Sequence, residues 1–501
     1  MEGVEPRPFP PGAYPVVVVG TGPGGLQVSH SLSRLGVDHA VLSSDAGPGG
    51  MFRRFPLFDR LITWTKPYAP AEPGTREYEW YDWNSLLSDE PHLRAVVPEL
   101  MDGTSYFPSR PEMEHGLSLF AERAGIAVRY DCRWEGTRRG EDGGFVLETT
   151  DGEYACGVAV LAVGMTEPWK PAVPGLQDVP HYVETRVAKE YAGRRVFIIG
   201  KRNSGFEVAD GLLPWARQIV LASPRPARLS VLARSTAAAR ARYLQPYEDH
   251  VLGGGTFVLD AAIERVERGG DGWRVYAKGT TRPGDLVLDV DDVIAATGFA
   301  TPLLDLPELG VATFYQGGRL PAQTPFWESP TLPGIYFAGS TTQGAVGLKK
   351  YGIPSNSSAV HGFRYNARVL AEHVAEKHFG VARPRRRVEA EALLDRLLEE
   401  ATSAPELWNQ QSYLARVIAF EEDGGINDDG IVPLAHFVDS AGPDAVALTV
   451  ETDADGDIHP ALYLRRDGHV SDHTLPSDPL LDFRTAEHRS HLKGLLGDLL
   501  K

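Results

Sequence analysis

Two stretches of the chain combine a continuous apolar run, a glycine-rich turn and an amphipathic segment. In the first, Val16–Val19 is an unbroken β-branched run, typical of a strand buried on both faces. An amphipathic helix to about Leu35 and the strand "DHAVLSS" follow it. From Arg194, "RRVFIIG", "FEVADGLLPWA" and "QIVLASPRP" repeat the order of strand, helix and strand. The pattern predicts an α/β fold built on two Rossmann-like βαβ domains.

The first glycine-rich turn carries a complete dinucleotide fingerprint. Gly20, Gly22 and Gly25 form G-x-G-x-x-G between the predicted strand and helix. In this context the helix N-terminus offers N–H groups and a partial positive charge to a pyrophosphate. The acidic residue that usually ends the second strand and binds the ribose is replaced by Ser43 and Ser44.

The second glycine-rich turn departs from the fingerprint at one position. Gly200 and Gly205 hold the outer positions, but Arg202 stands where the middle glycine normally lets the backbone approach the pyrophosphate. Three interpretations are open: a working nucleotide site, a modified one or a decayed one. The intact strand, the N-S-G sequence and the arginine downstream favour a modified site.

Two dinucleotide units in one chain are typical of flavoproteins that use a nicotinamide cofactor, which predicts FAD in the first unit and NADPH in the second. Arg225 lies just past the second strand of the second unit, where an arginine can pair with a 2′-phosphate; the alternative is a solvated arginine loop. The residues predicted to bind FAD are Gly20, Gly22, Gly24, Gly25, Ser43, Ser44, Asp45, Gly50, Met51, Phe52, Trp64, Gly339 and Ser340. Those predicted to bind NADPH are Gly200, Arg202, Asn203, Ser204, Gly205, Ser223, Arg225, Arg228, Thr297 and Gly298.

Composition shifts divide the chain into six segments. In order, they are a Pro-rich arm (1–14), the first part of the FAD domain (15–166), the NADPH domain (167–296), the second part of the FAD domain (297–380), a basic linker (381–387) and an α+β C-terminal region (388–501). The C-terminal region holds no catalytic motif, so we expect it to serve packing or self-association. Self-association would make the protein a homo-oligomer.

Charge and cysteine content exclude several classes of protein. The 50 basic and 67 acidic residues give a net charge of −17, which repels nucleic acid. No apolar run is long enough to span a bilayer, and the start lacks the features of a signal peptide, so a cytoplasmic protein is expected. The two cysteines, Cys132 and Cys156, form no C-x-x-C, which argues against a disulfide reductase, and we expect no metal site.

Five short motifs, "GTGPGG", "PGGMF", "GKRNSG", "AATGF" and "FAGS", resemble in their order the two-dinucleotide flavin monooxygenases. The segments "LITWTKP", "WYDWNSLLSDEP", "SYFPSRPEM" and "HGFRYNARVL" look more specifically like the FAD-dependent oxidoreductase domain-containing subgroup, and are similar to amino-acid N-oxygenating nitrosuccinate synthases. The F-x-G-x-x-x-H fingerprint of the broader class is missing, and Ser340 replaces an aspartate common in these flavoproteins.

The resemblance implies a monooxygenase in which NADPH reduces FAD and O2 then forms a flavin hydroperoxide. The oxygen would pass to a small amine or amino acid, with an acidic one such as aspartate as a candidate. The alternatives are a sulfur or ketone substrate, or an NADPH oxidase or flavin-binding protein without productive oxygenation.

Two side chains are predicted to be catalytic. Asn84 is a neutral amide that can donate to a peroxide without protonating it, and turn capping is the equally weighted alternative. Lys66 would point near the flavin by resemblance. Basic residues close to the flavin segments would hold a substrate carboxylate. These predicted substrate-binding residues are Arg53, Arg54, Lys66, Lys349 and Lys350.

Overall fold

The computed structural model describes residues 7–58, 60–233, 238–244, 254–315, 317–348, 350–497 and 499. The chain divides into two compact units. Unit 1 comprises Met1–Met51, Thr63–Gly164 and Leu303–Lys501, and unit 2 comprises Phe52–Ile62 and Met165–Pro302.

The described helices, numbered in chain order, are α1 (Pro23–Arg34), α2 (Val96–Leu100), α3 (Arg110–Arg123), α4 (Asn203–Leu212), α5 (Ser230–Ala233), α6 (Val360–Phe379), α7 (Ala390–Ser403), α8 (Pro405–Asn409), α9 (Leu434–Asp439) and α10 (Ala486–Leu496). The described strands are β1 (Gly12–Val19), β2 (His39–Leu42), β3 (Trp134–Arg139), β4 (Phe145–Thr149), β5 (Gly152–Leu161), β6 (Glu167–Pro168), β7 (Arg195–Ile199), β8 (Gln218–Ser223), β9 (Thr256–Gly269), β10 (Gly272–Gly279), β11 (Asp285–Val290), β12 (Asp292–Ala295), β13 (Phe299–Ala300), β14 (Thr313–Phe314), β15 (Leu320–Pro321), β16 (Ile335–Phe337), β17 (Arg386–Arg387), β18 (Leu414–Phe420), β19 (Ile426–Pro433), β20 (Ala445–Thr452), β21 (Ile458–Arg466) and β22 (His469–Thr474).

The first sheet of unit 1 has the order β2-β1-β5-β4-β3, with β16 added beside β5. Strands β1, β2, β5 and β16 run parallel, whereas β3 and β4 form an antiparallel extension. Val16 and Val18 face a core shared with α1 and α6, and Val17 and Val19 face the core on the other side. This burial on both faces confirms the strand predicted from the unbroken valine run.

The second sheet of unit 1 is built by the C-terminal region. It has the order β17-β19-β18-β20-β21-β22 and is antiparallel throughout. One face packs on α7, α8 and α10 through a leucine-rich core. Strand β17 falls in the predicted basic linker, where Arg385 pairs with Glu421 and Asp429, so this segment is part of the folded region.

Unit 2 contains the second dinucleotide fold. Its sheet has the order β11-β10-β9-β8-β7-β12, in which β7, β8, β12 and the start of β9 are parallel. The rest of β9 forms an antiparallel meander with β10 and β11. Val196 and Ile198 pack against α4, while Phe197 and Ile199 enter the opposite core.

Unit 2 also includes residues 52–62, which the sequence analysis assigned to the first part of the FAD domain. The reason is a buried carboxylate on α4. Glu207 accepts hydrogen bonds from the backbone N–H groups of Leu57 (2.7 Å) and Phe58 (3.2 Å) and from the hydroxyl of Tyr182 (2.6 Å). These bonds hold the 52–62 segment against α4 at a position that hydrophobic patterning does not reveal.

Candidate cofactor and active site

The first glycine turn is fixed by close backbone packing. Gly20 has a φ of +107°, and a Cβ there would lie 2.5 Å from the carbonyl oxygen of Ala162. A Cβ on Gly25 would lie 1.9 Å from the carbonyl oxygen of Gly20. Both positions therefore require glycine, because a side chain would separate β1, α1 and the end of β5.

Two more glycine segments converge on the same turn. A Cβ on Gly24 would lie 2.4 Å from the Cα of Gly339, which has a φ of +73°. A Cβ on Gly50 would lie 2.8 Å from the Cα of Gly22. The predicted FAD residues from three distant parts of the sequence are thus brought together around the N-terminus of α1.

The N-terminus of α1 is suited to an anionic ligand. Gly22 is its N-cap, Pro23 opens the helix, its first turn holds no acidic residue, and no side chain among the described residues caps it. The first N–H groups of the helix therefore have no side-chain acceptor, and they point towards the region where the glycine segments converge. This arrangement fits the pyrophosphate of FAD.

The end of β2 differs from the usual acidic ribose site as the sequence predicts. Ser43 is buried, and its oxygen accepts hydrogen bonds from the Thr21 hydroxyl (2.8 Å) and from the N–H of Asp45 (3.2 Å). Ser44 is exposed and Asp45 is half-buried.

The second glycine turn repeats the two backbone contacts of the first. Gly200 has a φ of +128°, and its Cβ would lie 2.2 Å from the carbonyl oxygen of Ala296. A Cβ on Gly205 would lie 2.3 Å from the carbonyl oxygen of Gly200. The strand, turn and helix of the second unit therefore have the same tight packing as the first, and α4 also lacks a side-chain cap among the described residues.

Arg202, at the unusual position, causes no backbone strain. It is the N-cap of α4 with φ −113° and ψ −169°, an extended conformation open to any residue, and its side chain is exposed. Gly22 at the equivalent position has φ −67°, so neither turn needs a glycine there for conformational reasons. The substitution leaves the fold of the turn intact and adds a positive charge beside the helix N-terminus.

The other predicted NADPH residues surround the carboxyl ends of β7 and β8. Ser223 ends β8 and donates to the carbonyl oxygen of Arg225 (3.3 Å), and the side chains of Arg225 and Arg228 are exposed. Asn203 accepts a hydrogen bond from the N–H of Arg240 (3.1 Å), while Ser204 is half-buried.

Thr297 and Gly298 lie where the chain leaves β12. The Thr297 hydroxyl donates to the carbonyl oxygen of Trp169 (2.5 Å), and Gly298, with a φ of +94°, accepts from the N–H of Trp169 (3.0 Å). These bonds join the strand that enters unit 2 to the strand that leaves it.

Lys201 is a charged residue of the second turn that the sequence analysis missed. Its side chain is 1% exposed, donates to the carbonyl oxygen of Leu259 (2.7 Å) and forms an ion pair with Asp260. The pairing lowers the pKa of Asp260, chiefly through the hydrogen bond from Lys201. The sequence around Lys201 does not predict this ion pair, because Asp260 lies far along the chain, on β9.

Asn84 is fully buried, and its amide group is bonded within the protein. Its Nδ2 atom donates to the carbonyl oxygen of Thr63 (3.2 Å) and to the hydroxyl of Thr65 (2.9 Å). The turn itself is capped by Asp82, whose carboxylate accepts the N–H groups of Asn84 (3.1 Å) and Ser85 (3.0 Å), and not by the Asn84 side chain. The Asn84 side chain instead connects this turn to the segment of Thr63 and Thr65.

Trp64, predicted near the flavin, belongs to an aromatic column. Its ring lies 5.0 Å from that of Trp83, and Trp83 stacks on His361 at 4.2 Å. Trp64 itself is half-buried. Met51 and Phe52, on either side of the boundary between the two units, are half-buried too.

The predicted substrate-binding cations have different surroundings. Lys66 is exposed, with its Nζ atom 5.9 Å from the centre of the Tyr81 ring. Arg53 is half-buried and Arg54 exposed, both within unit 2. Lys349 lies outside the described residues.

The charge of Lys350 is offset by the C-terminal region. Its Nζ atom lies 2.5 Å from Asp472 and 3.7 Å from the buried Glu451. Burial opposes the charged form, but these carboxylates raise the pKa of Lys350 above its usual value. A substrate carboxylate would have to compete with both of them.

Four buried side chains next to the 339–344 turn escaped the sequence analysis. Thr342, Ser357, Asn366 and Gln410 are at most 1% exposed and are joined by hydrogen bonds. Gln410 follows α8, far along the chain from Thr342. The sequence contains no periodicity or motif that would connect these positions.

The cysteines are not arranged for thiol chemistry at the cofactor. Cys132 and Cys156 are buried free thiols, and burial raises the pKa of both, to about 12 for Cys156. Cys156 pairs with Tyr14, whereas the glycine turn follows Val19, about 16 Å further along the strands. The Cys132 thiol contacts the Thr149 hydroxyl (3.4 Å), whereas the backbone N–H of Cys132 donates to the carbonyl oxygen of Ser43 at the end of β2 (2.8 Å).

Within the described part of the chain, no group of three His, Cys, Asp or Glu side chains is placed to hold a metal ion. No described helix has the length and apolar content needed to cross a membrane.

The profile of the pyridine nucleotide-disulphide oxidoreductase family matches residues 17–339. The chain belongs to this family. The match includes both glycine turns and ends at the glycine that packs on Gly24, so the C-terminal region lies outside it. The fold is accordingly the two-domain α/β fold of FAD- and NAD(P)-dependent enzymes.

Individual relatives are more distant. The chain is 28% identical over 452 residues to mouse "FAD-dependent oxidoreductase domain-containing protein 2", covering 81% of this chain and 64% of the relative's length. Among solved structures, the ornithine N-hydroxylase of Kutzneria sp. 744 has a TM-score of 0.54 at 17% identity, over 73% of this chain and 100% of that one. The bacillithiol disulfide reductase of Staphylococcus aureus has a TM-score of 0.55 at 14% identity, over 73% and 99% of the two chains.

Family membership and the two glycine cradles together make FAD and NADP(H) the cofactors of this chain. The chain has the architecture of FAD-dependent oxidoreductases and spans 64% and 65% of the length of the mouse and zebrafish relatives it matches. When bound, FAD supplies the redox chemistry, and residues of this chain would hold it at the turns formed by Gly20–Gly25, Gly50 and Gly339.

Proposed function

We propose that this chain is an NADPH- and FAD-dependent monooxygenase that N-oxygenates a small amine or amino acid. The observation that carries the proposal is the combination of two intact nucleotide turns with no usable dithiol. A disulfide reductase of this family plan passes electrons from the flavin to a pair of cysteines, but the two thiols of this chain form no C-x-x-C pair, are buried and have raised pKa values. Electrons from NADPH therefore need a diffusible acceptor, and O2 is the acceptor we propose.

The similarity to an ornithine N-hydroxylase supports an amine substrate, and the resemblance of the tryptophan-containing segments supports an amino acid. The balanced reaction is R–NH2 + O2 + NADPH + H⁺ → R–NHOH + H2O + NADP⁺. One oxygen atom forms the new N–O bond. The other leaves as water, with NADPH supplying the two electrons.

An acidic amino acid such as aspartate is the substrate we favour, because cations are predicted around the flavin segments of a chain with net charge −17. Lys350 is already paired with two carboxylates. The other predicted cations, Arg53, Arg54 and Lys66, are retained as residues proposed to hold a substrate carboxylate. An arginine can bind it through two parallel hydrogen bonds.

We retain Asn84 and Lys66 as the proposed catalytic residues. For Asn84 to donate to a reacting oxygen, it would have to exchange its bond to Thr63 or Thr65. An Asn84→Ala variant that keeps its fold should then release more H2O2 per NADPH consumed. An unchanged share of H2O2 in such a folded variant would leave Asn84 with only the structural role of bonding Thr63 and Thr65.

The reaction is tested on full-length protein reconstituted with FAD. NADPH consumption and H2O2 are measured together, with aspartate, glutamate, ornithine, simple amines, a sulfide and a ketone, in ¹⁸O2. We expect aspartate or glutamate to speed NADPH consumption, to lower the share of H2O2 and to yield a hydroxylamine with one ¹⁸O atom. If all consumed NADPH emerges as H2O2 with every compound, the chain is an oxidase and the proposal fails.

Variants of the basic residues test the substrate class. Lys66→Met and Arg53→Ala should raise KM for the acidic substrate with a smaller effect on a neutral amine. Lys278→Met, at an exposed lysine on β10, is the matched control and should leave both unchanged. Turnover of neutral or cationic amines without turnover of acidic ones would contradict the anionic substrate.

A further inference from the structure

The 339–344 turn, a 3-10 helix (Gly339–Gly344) that follows β16, is part of the flavin cradle. Its first residue, Gly339, packs closely against Gly24 of α1, where a Cβ on Gly24 would lie 2.4 Å from the Cα of Gly339. Thr342 is fully buried and donates its hydroxyl proton to the carbonyl oxygen of Gly339 (2.7 Å). The hydroxyl of Thr342 therefore fixes the residue that contacts Gly24.

The direction of the next hydrogen bond follows from that donation. The Thr342 proton is donated to carbonyl oxygens, that of Gly339 at 2.7 Å and that of Ser357 at the longer distance of 3.3 Å. The Thr342 oxygen can therefore only accept from Asn366, whose Nδ2 atom lies 3.0 Å away on α6. The same Nδ2 atom lies 3.0 Å from the hydroxyl oxygen of Ser357. The amide nitrogen of Asn366 must therefore face the turn, and its carbonyl oxygen must face the other way.

Gln410 provides the donor that the Asn366 carbonyl oxygen needs. Its Nε2 atom lies 2.7 Å from Asn366 Oδ1, and its Oε1 atom accepts the Ser357 hydroxyl at 3.2 Å. Gln410 is 0% exposed, so no solvent molecule replaces this donor. The bonds run in one direction, from Gln410 to Asn366, to Thr342 and to the carbonyl oxygen of Gly339.

Gln410 lies in the C-terminal region, beyond the segment that matches the family. Further contacts hold this part of the C-terminal region against the loop that precedes Asn84. Arg76 forms ion pairs with Glu400 and Glu406, and Trp80 donates its ring N–H to the carbonyl oxygen of Ser403 (2.6 Å). Gln410 is thus held rigidly enough to position another side chain.

We propose that Gln410 is a positioning residue for the flavin: through Asn366 and Thr342 it sets the 339–344 turn, so that the C-terminal region completes the FAD site. This gives the C-terminal region a role in cofactor binding besides packing or self-association. The inference concerns FAD binding and is independent of the proposed oxygenation.

The test compares Gln410→Leu and Gln410→Glu with the matched control Gln411→Leu in the full chain. Gln411 is the neighbouring glutamine, and its oxygen accepts the Thr452 hydroxyl (2.6 Å) within the C-terminal region. Leucine removes the donor to Asn366, whereas glutamate replaces it with an acceptor that repels Asn366 Oδ1. The measurements are the FAD dissociation constant, the absorbance spectrum and midpoint potential of the bound flavin, and the melting temperature of the apoprotein.

We expect both Gln410 variants to bind FAD about tenfold more weakly, as expected for an unpaired buried polar group, with a shifted flavin spectrum or potential. Gln411→Leu should stay within about twofold of the unaltered chain. A Gln410 variant that only lowers the melting temperature of the apoprotein, with FAD affinity, spectrum and potential unchanged, would show a purely structural role and overturn the proposal.

A double-mutant cycle with Thr342→Val provides a second route, because valine matches threonine in shape but lacks the hydroxyl. If the relay is real, the losses of FAD affinity in Gln410→Leu and Thr342→Val are not additive. Additive losses would refute the connection. Should Gln410→Leu fail to fold, the same cycle is run with Gln410→Glu.

Discussion

Substitutions of Gly22 and Gly24 can distinguish two reasons for glycine in the flavin turn: close backbone packing at Gly24 and space for the ligand at Gly22. In Gly24→Ala, the new Cβ would lie 2.4 Å from the Cα and 2.6 Å from the N of Gly339. Ordinary carbon contacts are about 3.5–4.0 Å, so backbone atoms on one side must move by about 1 Å. In Gly22→Ala, the nearest atom is the Cα of Gly50 at 3.8 Å, and φ of −67° suits alanine.

The magnitudes follow from these distances. Overpacking costs about 1–3 kcal/mol, and a backbone neighbour that cannot rotate away places Gly24→Ala near the upper value. Because the clash is present in the apoprotein, this cost lowers its stability. FAD binding weakens only by the part that seating Gly339 against Gly24 restores, which for about 3 kcal/mol is at most roughly 100-fold, since about 1.4 kcal/mol is tenfold. Gly22→Ala should leave the apoprotein unchanged but weaken FAD binding, because its Cβ would face the pyrophosphate.

The assay is differential scanning fluorimetry of the two apoproteins, followed by FAD titration of each. Gly24→Ala should lower the melting temperature of the apoprotein and FAD affinity together, whereas Gly22→Ala should lower FAD affinity alone. An apoprotein of Gly24→Ala that melts with the unaltered chain and binds FAD equally well would refute the packing argument.

Three further predictions concern the rest of the chain. Burial raises the pKa of Glu207 above its ordinary value of 4.5, so its contribution to stability is full below that pH and is lost as pH rises through the raised pKa. Glu207→Gln should therefore flatten the fall in melting temperature above about pH 5. An unchanged pH profile would contradict this. Arg202→Gly should weaken NADP⁺ binding about two- to fivefold at low salt, with little effect on the melting temperature; Arg217→Ala is the control, and tighter binding by the glycine variant would show that Arg202 hinders the nucleotide. A Cys132→Ala, Cys156→Ala double variant should keep NADPH-dependent flavin reduction and O2 consumption, and loss of electron transfer in a folded variant with bound FAD would restore the disulfide reductase alternative.

Local patterns were sufficient to predict the two βαβ units. The four-valine run of β1 is buried on both faces, and the glycines at the outer fingerprint positions make the backbone contacts that demand them. Arg202 was the uncertain position, and the structure shows that its extended backbone never needed a glycine. Sequence spacing could identify these features because strand, turn and helix are adjacent in the chain.

Features made by distant residues could not be predicted. The assignment of residues 52–62 to unit 2 depends on Glu207 of α4, and the pairing of Lys350 depends on strands β20 and β22. The donor chain from Gln410 likewise joins three segments that share no periodicity. Burial of a polar side chain can be expected at such places, but its partner is chosen by tertiary packing.

The interrupted path of the chain through the two units has a consequence for synthesis on the ribosome. Every residue of unit 2 has been added by Pro302, whereas β16 and the glycine that seats against α1 come only after residue 334. The nascent nicotinamide half can therefore reach its native form while the flavin half still lacks β16, which pairs with β5. FAD binding by the flavin half has to wait until the last third of translation. Until then, β5 lacks the hydrogen-bonding partner that β16 provides.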